Sequence, residues 1–453
     1  MTRKYVLRCP ECGSAFDDEF TNSCPHGCAA LLKTEYSCRL TLRAGTGILR
    51  FGDWLPAENT SDIQLEGVPI TYKSDGLAEE LRLRNLYISF SGYFPERNAY
   101  VKTCTFKEFE ALPTFLRVAE RAPGRILVVS SVGNTARAFA QVSAETGMPV
   151  VLVVPKRNVD RVWTVGTRAE NAFLVAVDGD YRDAITMGGE IAALDGFIAE
   201  GGARNVARRD GLGVVLLDAA FHMSSIPAHY FQAVGSGTGA LGVWEAALRL
   251  NAFGIFKGVP KLHLSQNLPF APMFRAWKAG RSELIDDDVR DGESIKKMHA
   301  DVLSNRKPPY SVRGGVYDAL TATGGEMYGV NNDECIEAER IFESEEGIDL
   351  DPAAAVCVAS LMQAVEAGVV DKGEKILLNV TGGGYKKLKK DLKVYEVRVR
   401  AETEGMFPEL KCMLEEFRDA ILPSRPSTSA SSQQQRRSVA RTPRQAFLPP
   451  PPS

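Results

Sequence analysis

The sequence predicts an α/β protein, and three observations carry that prediction. A compact strand–turn–helix–strand unit runs from Ile126 to Val154. Two glycine-rich turns, Gly235-Ser-Gly-Thr-Gly239 and Thr381-Gly-Gly-Gly384, each follow an apolar strand. Further strands and helices alternate along the rest of the chain, the order typical of the α/β class. A turn between a strand's carboxyl end and the next element is where open α/β sheets hold anionic ligands, so the same residues suggest both a fold and a site.

The bulk numbers narrow the choice. A chain of 453 residues is long enough for two or three domains and a substantial core. Hydrophobic content of 44% and charged content of 25% are those of a globular protein. A net charge of −3 argues against a nucleic-acid or membrane surface. No apolar run is long enough to span a bilayer, and the opening Met-Thr-Arg-Lys-Tyr-Val-Leu-Arg-Cys lacks the apolar core of a signal peptide. Five of the nine cysteines fall within the first forty residues, a clustering that suits a metal site better than a disulfide framework. A reducing cytoplasm is therefore the expected compartment.

The chain opens with Cys9-Pro-Glu-Cys12 and Cys24-Pro-His-Gly-Cys28. Two tight turns can each present two thiolates to one tetrahedral zinc ion. The second pair is spaced one residue wider than the usual knuckle, His26 is a possible substitute ligand, and Cys38 stands outside the pattern. A zinc-ribbon-like element over residues 1–40, with structural metal, is expected; a ribbon that folds without metal is the alternative. Residues 41–100 read as short strands and turns, with Leu86-Tyr-Ile-Ser-Phe90 the clearest strand.

The stretch Val101-Lys-Thr-Cys-Thr-Phe-Lys-Glu108 leads into a helix that continues past Pro113 or restarts there. Lys107 follows an aromatic residue at the start of that helix. Partial burial near a positive helix end lowers an amine's pKa and makes it a candidate covalent anchor, although a surface lysine beside a glutamate reads the same way. After the Ile126–Ser130 strand come the turn Ser131-Val-Gly-Asn-Thr135, a helix over 136–146 and a strand over 150–154. Residues 157–230 hold helices over 181–193 and 213–223. Between them, Gly201-Gly-Ala-Arg-Asn-Val-Ala-Arg-Arg209 is either a solvated face or a holder of phosphorylated substrate through Arg204 or Arg208.

A strand over 231–234 enters Gly235-Ser-Gly-Thr-Gly239, and a helix follows over 240–250. Alternating glycines let successive N–H groups converge, and Ser236 and Thr238 add hydroxyls. That makes a phosphate cradle at a helix N-terminus. It lacks the lysine of a nucleotide P-loop, and no acid follows to hold a ribose. Strands over 261–265 and 375–380 and helices over 333–343 and 353–367 complete this region. Residues 421–453 turn to Ser, Pro, Gln and Arg, with five arginines and no acid, and read as a disordered tail.

Thr-Phe-Lys-Glu, Ser-Val-Gly-Asn-Thr, Gly-Ser-Gly-Thr-Gly and Asn-Val-Thr-Gly-Gly-Gly occur in the order found in pyridoxal-phosphate enzymes of the tryptophan-synthase β fold. Within that two-domain fold the chain resembles the threonine-synthase-like branch and is most similar to its cysteate synthase family. Phe90-Ser-Gly-Tyr-Phe-Pro95, Lys102-Thr-Cys-Thr-Phe-Lys107, the 201–209 stretch, Ala233-Val-Gly-Ser-Gly-Thr-Gly239 and Pro309-Tyr-Ser-Val-Arg-Gly-Gly315 carry the similarity, which spans residues 3–399. The resemblance implies a catalytic region over 41–420, with a smaller α/β domain near 101–210. It implies pyridoxal 5'-phosphate as cofactor and O-phospho-L-serine plus sulfite as substrates, giving L-cysteate and phosphate on the way to coenzyme M. Lys107, rather than its neighbour Lys102, would be the anchor and base. Gly235, Ser236, Gly237, Thr238 and Gly239 would cradle the cofactor phosphate, Asn134 would meet the ring's 3′ oxygen, and Thr381 the ring nitrogen. Threonine synthase, acting on O-phospho-L-homoserine, is the nearest alternative. An interaction module on an inactive catalytic fold is a more distant one. A homo-oligomer is expected, with neither nucleic acid nor membrane as partner.

Overall fold

The computed structural model describes residues 3–45, 47–58, 63, 65–403 and 407–422. The serine- and proline-rich tail lies outside the described residues from 423 onward.

Two parallel sheets organise the chain. The larger has six strands in the order Glu326–Val330, Lys261–Asn267, His229–Ala233, Ile376–Val380, Leu86–Phe90 and Ile70–Lys73. Only its last pair is antiparallel. The smaller has five, in the order Phe197–Ala199, Ile126–Ser130, Val150–Pro155, Ala172–Val177 and Val399–Thr403, all parallel. Strands covered by helices on both faces have no polar side. Val150–Pro155 and Ala172–Val177 accordingly are apolar and buried at every position.

The unit from Ile126 onward forms as expected, except that its helix starts at Asn134. The Ser131 hydroxyl accepts from the N–H groups of Gly133 and Ala136 at 3.1 and 3.2 Å, which turns the chain into the helix two residues early. The helix after Lys107 runs unbroken from Glu108 to Arg121 through Pro113. Proline cannot donate back to the carbonyl of Phe109. The Val206–Met223 helix presses Gly211 against that carbonyl instead, so closely that a Cβ there would stand 2.1 Å from the oxygen.

Three differences from expectation have physical causes. Ala172–Val177 is a central strand inside a region read as helical. The helix placed over 213–223 begins at Val206, and its glycines Gly211 and Gly213 are contact points between helices. Its arginines are not a solvated face: Arg208 and Arg209 are both buried. The third is the Phe407–Ile421 helix, which lays Leu410, Leu414 and Phe417 on the smaller sheet, with the Phe417 ring 5.2 Å from that of Phe173. Ile421, where the tail was expected to begin, is its last residue.

Near the N-terminus, Tyr5–Arg8 pairs antiparallel with Ala15–Phe16 and Lys33–Tyr36. This ribbon is fastened to the rest of the chain. The hydroxyls of Thr34 and Tyr36 each donate to Asp210 at 2.8 Å, and the buried Arg117 guanidinium grips Asp18 with two bonds of 2.7 Å. Among the described residues no helix is long and apolar enough to cross a membrane.

Candidate active site

Strand ends from both sheets meet at a cavity of about 590 Å³. Its walls include Ser130 and Ser131 from the smaller sheet, Ala233 and Thr381 from the larger, and the glycine-rich turn between Val234 and Gly239. Lys107, Asn134, Gly235, Ser236, Gly237, Thr238, Gly239, Thr381, Arg204 and Arg208 all line it. The structure thus brings together in one place every cavity residue the sequence singled out.

Lys107 is the residue that opens the Glu108–Arg121 helix. Its side chain is 20% exposed, and its Nζ lies 3.7 Å from Glu110 Oε2 and 4.7 Å from the Phe106 ring centre. Burial pushes the amine below the usual lysine range, the Glu110 carboxylate pulls it back, and Arg208 adds to the push. The loop before it is held by backbone. Phe106 N donates to Thr381 O at 2.8 Å and Gly383 N to Cys104 O at 3.2 Å. The second glycine-rich turn therefore backs the lysine loop, and only its Thr381 reaches the cavity. Glu108 faces away, accepting from the N–H and hydroxyl of Thr103 at 3.1 and 2.8 Å, and burial pushes its carboxyl up to about 7. Lys102 also points elsewhere, to Glu145 at 2.8 Å, and is absent from the cavity wall.

The cradle sits across from Lys107 at the start of the Thr238–Ala252 helix. Gly237 takes φ +79°, a left-handed conformation that a side chain disfavours. The hydroxyls of Ser236 and Thr238 stand 2.7 Å apart, and the helix's opening N–H groups have no carbonyl a turn behind them. Hydroxyls, N–H groups without a helical carbonyl partner and a positive helix end suit a phosphate monoester, and an amine of lowered basicity suits a carbonyl. These residues fit pyridoxal phosphate.

Asn134 Nδ2 donates to Asp351 at 3.3 Å, and its Oδ1 accepts from Arg137 at 2.9 Å, which fixes the amide's orientation. The two candidate arginines differ sharply. Arg204 is exposed and pairs with no carboxylate among the described residues. Arg208 is buried, with Nη2 on Glu110 Oε1 and Nη1 on Glu200 Oε1, both at 2.5 Å. Glu110, Glu200, Tyr181 and Lys307 belong to the site or its margin but were not foreseen. Pro309 and Val312 in the wall did have a sequence signal, through the Pro309-Tyr-Ser-Val-Arg motif.

Away from the cavity, the sulfurs of Cys9, Cys12, Cys24 and Cys28 all lie within 4.8 Å of one another. His26 Nδ1 approaches Cys12 Sγ at 3.7 Å. Four thiols so grouped can take a tetrahedral zinc ion.

The family described as "Pyridoxal-phosphate dependent enzyme" matches residues 81–382. A protein named cysteate synthase from Methanoculleus marisnigri is 55% identical over 409 residues, covering 88% of this chain and 94% of its own. A cysteate synthase from Methanosarcina barkeri is 50% identical over 399 residues, covering 87% and 95%. In three dimensions the chain resembles a pyridoxal 5'-phosphate-dependent aspartate racemase at 19% identity, with a TM-score of 0.53 over 70% of this chain and 90% of that one. Maize serine racemase matches at 13% identity with a TM-score of 0.53, over 71% and 90%. By sequence over nearly its whole described length, and by the fold around the cavity, the chain belongs to the pyridoxal-phosphate dependent enzymes and, among them, to the cysteate synthase family.

Proposed function

We propose that this chain replaces the phosphate of O-phospho-L-serine with sulfite, releasing L-cysteate and phosphate, a step towards coenzyme M. The observation that carries the reading is one cavity holding Lys107, the phosphate cradle and the unpaired Arg204. Membership of an enzyme family whose relatives bear the name cysteate synthase supports it and sets aside the interaction-module reading.

Pyridoxal phosphate, when bound, supplies the electron sink that lets a Cα proton leave. The chain's own residues do the rest. The N–H groups and hydroxyls of Gly235, Ser236, Gly237, Thr238 and Gly239 would hold the cofactor's phosphate. Asn134, its amide oriented by Asp351 and Arg137, would face the ring's 3′ oxygen. Thr381 would offer the ring nitrogen a neutral hydroxyl. Lys107 Nζ would anchor the cofactor, take the proton from the substrate's Cα and give it back to Cα once the C–S bond has formed. At the β-carbon, the C–O bond breaks with its electron pair on phosphate, and the sulfur lone pair of sulfite forms the C–S bond.

Both reactants are anions. Arg204 and Lys307 line the cavity without a carboxylate partner among the described residues. Because both arms of Arg208 are occupied, the substrate's phosphate is assigned first to Arg204. Zinc on Cys9, Cys12, Cys24 and Cys28 would be structural, since none of the four borders the cavity. Nine unpaired thiols suit a reducing compartment such as the cytoplasm. A homo-oligomer remains the assembly we expect.

The test is a product analysis. Cofactor-loaded protein given phosphoserine and sulfite should release cysteate and phosphate in equal amounts. Threonine from phosphohomoserine, with no cysteate from the first pair, would overturn the reading.

A further inference from the structure

Glu110 lies three residues beyond Lys107 on the same helix, fully buried and behind the cavity wall. Its two oxygens have different surroundings. Oε1 accepts from Arg208 Nη2 at 2.5 Å and from the Thr135 hydroxyl at 3.3 Å. Oε2 has no hydrogen bond and stands 3.7 Å from Lys107 Nζ. Arg208 is in turn fixed by Glu200 at 2.5 Å, leaving its own Nε without a partner.

Lys107, Glu110, Glu200 and Arg208, with the half-buried Tyr181 phenol beside them, form one cluster drawn from several elements. Its charges balance only while Lys107 is an ammonium. Once the lysine is neutral, one buried negative charge has no counterpart, and uncompensated buried charge is costly. A carboxylate with one oxygen tied down and the other open toward an amine is set up to receive that amine when it is charged.

We propose that Glu110 is a positioning residue for Lys107. Its open oxygen receives the ammonium each time the lysine is released from the cofactor, and the Arg208–Glu200 pair holds Glu110 in place. The inference rests on Lys107 being the reactive amine of the proposed reaction. In that reaction the lysine must carry a proton away from Cα and then give it up before it can re-engage, so a group that favours its charged form sets the balance between those two states. Thr135 and Arg208 keep Glu110 from following the lysine into the cavity.

Cofactor-free protein gives a readout independent of turnover. Lys107 is labelled by formaldehyde and cyanoborohydride across a pH series, and its peptide is quantified by mass. In Glu110→Gln the half-labelling pH should fall, because loss of the carboxylate disfavours the ammonium. Glu110→Asp, which keeps the charge, should restore most of the wild-type profile. In loaded enzyme, kcat should drop about tenfold with KM nearly unchanged, and the acid limb of the pH profile should move to lower pH. A Glu110→Gln protein with a wild-type circular dichroism spectrum and an unmoved labelling profile overturns the proposal. Should Glu110→Gln fail to fold, Glu200→Gln carries the test. It should lower the half-labelling pH by a smaller amount, and no change would overturn the proposal. Failure of the reaction itself would show separately, as unaltered protein that yields no cysteate.

Discussion

Gly237→Ala puts the cradle to a quantitative test. Gly237 adopts φ +79° at the start of the Thr238–Ala252 helix, and a Cβ there would stand 2.5 Å from Val316 Cγ2. Forcing an L-residue into the left-handed region costs about 1–2 kcal/mol. Val316 is fully buried, so overpacking adds about 1–3 kcal/mol. Replacing glycine stiffens the unfolded chain and returns about 0.4–1 kcal/mol. The net expectation is a loss of about 1–5 kcal/mol, concentrated in the turn that presents the phosphate donors. Urea unfolding measures the stability term, and titration with pyridoxal phosphate, followed by visible absorbance, measures affinity. Every 1.4 kcal/mol that reaches the site weakens binding tenfold, so affinity should fall at least about tenfold. A cycle with Val316→Ala separates the two causes. If the clash matters, the double variant should be more stable than the two single losses predict, by about 1 kcal/mol or more. A Gly237→Ala protein that unfolds at the wild-type urea concentration and binds cofactor as tightly would refute the cradle geometry.

Other predictions follow from the same structure. Borohydride should fix the cofactor to the peptide holding Lys107; Lys107→Ala should lose this and at least about 10³-fold in turnover, whereas Lys102→Ala should keep the attachment. Arg204→Ala should raise the Michaelis constant for phosphoserine by roughly 10–100-fold, the worth of about 1.5–3 kcal/mol for a charged hydrogen bond, with little change in urea midpoint. Chelation or Cys9→Ser should release zinc and lower the melting temperature while residual folded protein still turns over; immediate loss of activity in a stable fold would make the metal catalytic. Removing residues 423–453 should leave folding and turnover intact, whereas ending the chain before Phe407 should cost about 5 kcal/mol or more by uncovering Leu410, Leu414 and Phe417 from the smaller sheet.

The parts of the fold legible in the sequence are those with local punctuation. The Leu86–Phe90 and Ile126–Ser130 strands and the helices after both glycine-rich and serine-rich turns begin where capping or turn residues announce them. Ala172–Val177 has no such marker. Six apolar residues in a row carry neither a period of two nor one of 3.6, and only pairing with Val150–Pro155 and Val399–Thr403 makes them a strand. The helix read over 213–223 came out too short. Gly211 and Gly213 sit inside Val206–Met223, where neighbouring helices approach too closely for any side chain.

The same division separates the site residues. Lys107, Asn134, Thr381 and the cradle owe their positions to turns at strand ends, and a turn is visible in consecutive residues. Arg208 owes its position to Glu110, 98 residues earlier, and no local pattern shows that pairing. The motif Gly201-Gly-Ala-Arg-Asn-Val-Ala-Arg-Arg209 therefore looked like one charged run. Asn205 splits it. Its side chain caps the helix by accepting from Ala207 N at 2.9 Å and also accepts from the buried Arg117 at 2.8 Å. That bond fixes where the helix starts, leaving Arg204 outside it with its charge exposed to the cavity and placing Arg208 in the first turn facing the carboxylates. Exchanging each arginine for alanine should separate the two roles. Loss of Arg204 should weaken substrate binding in a stable protein. Loss of Arg208 leaves Glu200 buried without its cation and Glu110 with Lys107 alone, and should cost about 3–5 kcal/mol of folding stability before any substrate is added.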